Sequence, residues 1–126
     1  MVEGLDSARR LVLLLMKNYG KPLERRAIHA ILYAVSQSAG IDLGFRGKYP
    51  YSLLIDQQLS EMINEGLLRR LYIVGPHFME LYREYISLGE KGREIANSLN
   101  DPELEKVIRE HLKQLDSKQG GEVAQA

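Results

Sequence analysis

Gln57, Ser60 and Asn64 recur at three- and four-residue spacing, which places them on one face if their segment is a helix. Glutamine and asparagine can each bond the exposed edge of adenine at two points, and a serine hydroxyl serves as donor or acceptor. Cations able to meet phosphates flank the segment: Arg46 and Lys48 precede it, Arg69 and Arg70 follow it, and Arg25 and Arg26 lie further upstream. Tyr51 and Ser52 stand at its start. The ring of Tyr51 could stack on a base, anchor a protein partner, or pack a loop against the core. The segment itself holds Asp56, Glu61 and Glu65 and no Lys or Arg. Its polar face is therefore either a base-reading surface served by flanking cations or an ordinary solvated face.

No other constellation has the spacing that catalysis or metal binding needs. His29, His77 and His111 are far apart, and none belongs to a His-x-x-x-His or His-Glu-x-x-His pattern. The chain has no cysteine, which removes disulfides, thiolate ligands and thiol nucleophiles. There is no Gly-x-Ser-x-Gly elbow, and the glycines before Tyr51 match neither a P-loop nor a dinucleotide fingerprint. The expectation is a protein without catalytic residues, metal or cofactor.

The elements that must position these residues come from a 126-residue chain in which 44% of residues are hydrophobic and 27% charged, the balance of one folded domain. The longest apolar run, Leu11 to Met16, is far short of the roughly 20 residues of a bilayer span. No membrane partner is expected, and a cytoplasmic location fits the absence of cysteine. Formal net charge is zero, which argues against indiscriminate attraction to phosphates. Residues 1–60 nevertheless carry +3 and the remainder −3, an asymmetry that permits a basic face.

A first helix is expected from Asp6 or Ser7 to Asn18, with Leu11, Leu14 and Leu15 in its buried stripe. Pro22 suits a first helical turn and opens a second helix that Gly40 ends, with Arg26, His29, Tyr33 and Ser36 facing solvent or a partner. Residues 41–50 read as an irregular loop. Tyr51 or Ser52 then opens a third helix with Ile55, Leu59, Met62 and Ile63 inward, closed by Gly66 as a left-handed cap. Leu67 to Val74 and Phe78 to Leu88, joined at Gly75-Pro76, read as a β-hairpin whose second arm helical propensity also tolerates. A short helix over Glu90 to Leu99 and a last helix from Pro102 to about Asp116 follow. The fold class is mainly α with a small β-hairpin. Three helices followed by a hairpin is the arrangement of a winged helix, here with an additional C-terminal helix.

Two phrases carry a resemblance. Tyr49-Pro50-Tyr51-Ser52 followed by Leu59, Met62, Ile63 and Gly66-Leu67-Leu68 resembles the third helix of winged-helix proteins. Tyr85-Ile86-Ser87-Leu88-Gly89-Glu90-Lys91-Gly92 resembles their strand-to-helix phrase Tyr-x-Leu-Thr-x-Lys-Gly. Over residues 8–99 the chain is most similar to the YwgA-like group and the related SocA/Panacea-type small domains, with Tyr49 where glycine is usual and Gly89 where threonine or serine is usual. The broad resemblance implies a DNA-binding regulator; the narrower one also admits a protein-interaction module.

The resulting expectation is a winged-helix domain over residues 1–99, an amphipathic helix over 100–116 and a disordered tail over 117–126. Double-stranded DNA is the expected partner, contacted by Arg46, Lys48, Tyr51, Ser52, Gln57, Ser60, Asn64, Arg69 and Arg70, with residues 51–65 as recognition helix and 67–88 as wing. The stripe of Leu104, Val107, Ile108, His111, Leu112 and Leu115 must be covered, either by folding back on the domain or by pairing in a homodimer. The resemblance favours the homodimer; another protein is the alternative partner.

Overall fold

The computed structural model describes residues 2–45, 50–73 and 83–125, with side chains described over 7–45, 50–72 and 84–114. Helix α1 spans Val2–Tyr19, followed by strand β1 (Leu23–Glu24), helices α2 (Arg25–Ala39) and α3 (Leu53–Asn64), strands β2 (Leu68–Ile73) and β3 (Arg83–Leu88), and helices α4 (Glu90–Ser98) and α5 (Pro102–Gln125).

Helix α1 lies at the centre. The expected one-sided stripe is instead a continuous run, because Leu11, Val12, Leu13, Leu14, Leu15 and Met16 are all buried. A helix that is apolar on every side needs neighbours on every side, and α1 packs against α2, α3, α4, α5 and β3. The third helix forms as its signals indicate: Ile55, Leu59 and Met62 face inward, and Gly66 takes φ +83°, where a Cβ would be penalised.

The sheet is antiparallel in the order β1-β3-β2, so β3 is central. Leu68 pairs with Leu88 and Ile73 with Arg83 along the hairpin, and Leu23 pairs with Ile86 on the far edge. The expected turn at Gly75-Pro76 lies outside the described residues. The second helix was expected from Pro22, but Leu23 and Glu24 are strand and α2 begins at Arg25. Extended backbone here gives the outer edge of β3 hydrogen-bond partners that a helix would deny it, and it buries Leu23.

Gly89 and Gly92 hold α4 against the α3–β2 corner. A Cβ on Gly89 would lie 2.6 Å from the Gly66 carbonyl oxygen, and one on Gly92 would overlap the carbonyl oxygen of Leu67. The glycine at 89, where the resembling proteins carry threonine or serine, is thus required by close approach of backbone rather than by capping. Alanine in a helix is worth about 1 kcal/mol over glycine, whereas forcing atoms into a packed contact costs about 1–3 kcal/mol. Gly92→Ala is therefore expected to lower unfolding free energy by up to about 2 kcal/mol in urea titrations, despite its better helix propensity.

Helix α5 folds back on its own chain. Ile108 and Leu112 are buried, Leu104 and Val107 pack against the core, and the helix lies on α1 and α2. The cover expected from a second chain is supplied from within, because burying Ile108 and Leu112 here contributes about 1.5–3 kcal/mol each. His111 Nε2 lies 3.0 Å from Ser38 Oγ of α2, which places it in the same internal contact. The side chain of Leu115 lies outside the described residues. The helix runs to Gln125, past the end expected near Asp116 and through most of the tail expected to be disordered, a stretch without proline to stop it.

Asp101 opens α5, its Oδ1 accepting from Leu104 N at 3.3 Å. Glu105 then latches the helix to α1: its Oε1 lies 3.2 Å from Lys17 Nζ and accepts from Asn18 Nδ2 at 3.2 Å. Burial would raise the Glu105 carboxyl, but the hydrogen bonds from Lys17, Asn18 and the Asp101 backbone outweigh it and hold it below the ordinary range. A carboxylate with a lowered folded-state pKa stabilises above its unfolded value and loses that contribution as pH falls through the folded one. Thermal melts from pH 6 to pH 3 are therefore expected to show a loss beginning near about pH 4, and the loss shrinks in Glu105→Gln.

Candidate nucleic-acid interface

The start of α3 is fixed by one serine. Ser52 Oγ accepts from Ile55 N at 3.1 Å and donates to the carbonyl oxygen of Leu43, while Ser52 N donates to His29 Nδ1 at 3.2 Å. The hydroxyl is fully buried and both its capacities are used. Ser52, expected among the nucleic-acid contacts, is thus a cap that ties the loop over residues 41–45 to the helix it precedes.

His29 and Ser36 were expected to face outward from α2 but are buried. The ring of Tyr51 stacks on His29 at 4.9 Å and 20°, and Phe45 meets His29 edge-on at 6.3 Å. This aromatic layer covers the helix face that spacing alone left open. With Nδ1 accepting from Ser52, the proton sits on Nε2, which is buried without a hydrogen-bond partner, 3.6 Å from Asp56 Oδ1. Burial lowers the His29 pKa; Asp56 opposes that and Arg25 adds to it. A lowered histidine pKa means the unfolded chain binds the proton first, so stability is full above about pH 6.5 and declines below it. In His29→Asn, whose amide oxygen can accept from Ser52 N, the decline between pH 7 and pH 5 in chemical denaturation is expected to flatten.

Every acid of α3 and its cap meets an arginine. Arg25 Nη1 lies 2.9 Å from Asp56 Oδ1, and its Nε lies 3.1 Å from Glu84 Oε1, whose Oε2 also meets Arg70 Nε at 3.3 Å. Burial opposes the charge on Arg25, yet the bonds to Asp56 and Glu84 raise its pKa overall. On the other flank Arg9 of α1 bonds Gln58 Oε1 at 2.6 Å, Glu65 Oε2 at 2.7 Å and Glu61 Oε2 at 3.4 Å. The hydrogen bond to Glu65 raises the Arg9 pKa, and the same bond lowers that of Glu65. Sequence reasoning missed Arg9 because its partners lie about fifty positions away and no local spacing announces them.

Between these flanking pairs, the outward face of α3 shows Gln57 and Asn64 exposed, Ser60 half-exposed, and Leu53 exposed beside Tyr51. Between this face and α2 lies a cleft of ≈ 690 Å³ lined by Arg25, Arg26, His29, Pro50, Tyr51 and Asp56. Arg26 is exposed and forms no hydrogen bond or ion pair with another described residue. Arg46 and Lys48 lie outside the described residues. The two strand arginines separate: Arg70 joins the Glu84 network on the α2 side, and Arg69 lies on the opposite face of the sheet with its register partner Ser87.

Among solved structures the chain is similar to a PadR-like transcription factor from Bacteroides fragilis, at 16% identity over 90% of both chains with a TM-score of 0.51. The fold is that of a winged helix. No protein-family model matches the sequence, and no curated protein matches it. In winged-helix terms α2 and α3 are the helix-turn-helix pair and β2 with β3 the base of the wing. Arg25 links all three elements through a single guanidinium.

Proposed function

We propose that the chain is a DNA-binding transcriptional regulator that inserts α3 into the major groove. The observation that carries this reading is the pairing of Asp56, Glu61 and Glu65 with Arg25 and Arg9, which engages each carboxylate at the flanks of α3 and leaves Gln57, Ser60 and Asn64 as its polar side chains without a partner among the described residues. Arg26 at the rim of the α2–α3 cleft is the described cation best placed to meet a phosphate, with Arg46 and Lys48 as further contacts. The similar PadR-like protein, described as a transcription factor, supports the same reading. If the regulator binds a two-fold site as a homodimer, the contact must use a surface other than Ile108 and Leu112, which the chain itself buries.

The test is fluorescence anisotropy with mixed-sequence duplex DNA at about 50 and 200 mM salt. Binding that weakens steeply with salt and falls in Arg26→Ala is expected. After selection of a preferred site, Gln57→Ala and Asn64→Ala should each cost about 1–3 kcal/mol on that site and much less on random duplex. A duplex that fails to bind at the lower salt overturns the proposal.

A second reading rests on Tyr51 and Leu53, 47% and 60% exposed and adjacent at the start of α3. A large apolar pair on a surface helix is a protein-docking feature, and it agrees with the interaction role that the SocA/Panacea-type resemblance admits. Loss of partner capture in Leu53→Asp, with DNA affinity unchanged, would favour it.

A further inference from the structure

A second cleft, of ≈ 430 Å³, lies on the sheet face turned away from Arg70 and is lined by Lys17, Lys21, Arg69, Ser87, Arg93 and Asn97 among others. Four of its lining residues are cations and none is a carboxylate. Lys17 is engaged with Glu105 and with the carbonyl oxygen of Leu99. Lys21, Arg69 and Arg93 are exposed, and none forms a hydrogen bond or ion pair with another described residue. In a chain of zero net charge this is a local concentration, brought together from the turn after α1, from β2 and from α4. Like charges gathered in one concavity repel each other until an anion joins them, and a cleft of one sign focuses the field on that anion.

The arrangement is scaffolded rather than incidental. Strand alternation puts Arg69 on this face with Ser87, and a Cβ on Gly89 would stand 3.4 Å from Arg69 Cγ, so the missing side chain leaves room for the arginine stem. Arg93 stands one turn further along α4, and Lys21 precedes the proline that leads into β1. Two planar guanidinium forks, an ammonium, a hydroxyl and an amide match the oxygens of a phosphate chain, which accepts at several points and carries several charges.

We propose that this cleft binds a multiply charged phosphate group. The same chemistry is offered by a free polyphosphate and by successive phosphodiesters of DNA, and the experiment separates them. Calorimetric titration of the full chain with inorganic tripolyphosphate at about 50 mM salt is expected to give one saturable site. Arg93→Gln and Lys21→Gln, both at exposed positions outside the α3 surface, should each weaken it by about tenfold while leaving the melting temperature of the unliganded protein unchanged. Displacement of tripolyphosphate by duplex DNA, with weaker duplex binding in Arg93→Gln, identifies the phosphate as DNA backbone. Undisturbed tripolyphosphate binding in the presence of duplex identifies a free anion. No binding, or equal affinity in the parent chain and both variants, overturns the site. The proposal stands apart from the DNA reading of α3, because neither substituted residue belongs to that surface.

Discussion

A helix apolar at six consecutive positions has no face to offer water, and that constraint organises the molecule. With Leu11 through Met16 all buried, α1 must be enclosed, and every later helix takes one of its sides. Helix α5 returns across the molecule because α1 and α2 would otherwise leave apolar surface exposed where Ile108 and Leu112 now sit. The polar contacts at its ends refine this arrangement. A partly exposed ion pair such as Lys17–Glu105 is worth no more than about 1 kcal/mol, so it orients α5 while apolar burial holds it.

Charge pairing follows the same logic of enclosure. The acids of α3, the helix proposed to meet DNA, are not free. Here Arg25 and Arg9 occupy opposite flanks of α3 and engage its acids, while tying the helix to its neighbours. The arginines that perform this task are thereby withdrawn from contact with phosphate. Of the described cations that form no hydrogen bond or ion pair, Arg26 stands at the α2–α3 cleft and Lys21, Arg69 and Arg93 on the far side of the sheet.

Local signals in the sequence reveal what local physics decides. The start of α3 near Tyr51 and Ser52, the left-handed Gly66 and the inward set Ile55, Leu59 and Met62 were legible because each depends on residues within one or two turns. The hairpin and the order of the helices were legible for the same reason, and two phrases shared with winged-helix proteins reinforced them. What escaped was set by distant partners. Strand β1 exists because β3 offers an edge more than sixty residues later. His29 is inside because Tyr51 and Phe45 cover it. The apolar stripe of α5 shows one-sidedness but not whose surface completes it, so an internal contact and an intermolecular one read alike. Of the expected nucleic-acid contacts, Ser52 turned inward for capping, whereas the parting of Arg69 and Arg70 to opposite faces follows from strand alternation that the sequence already implies.

The enclosure of α1 also has a consequence for the order of synthesis. The residues that close over it all follow it in the sequence, with Ile108 and Leu112 among the last of the buried set. A nascent chain that has emerged only as far as α4 holds its most apolar helix with one side uncovered, and its contacts are of high sequence separation, which slows collapse into the final packing. Completion of the core therefore waits for the synthesis of α5, and until then the Leu11 to Met16 segment keeps one apolar side open.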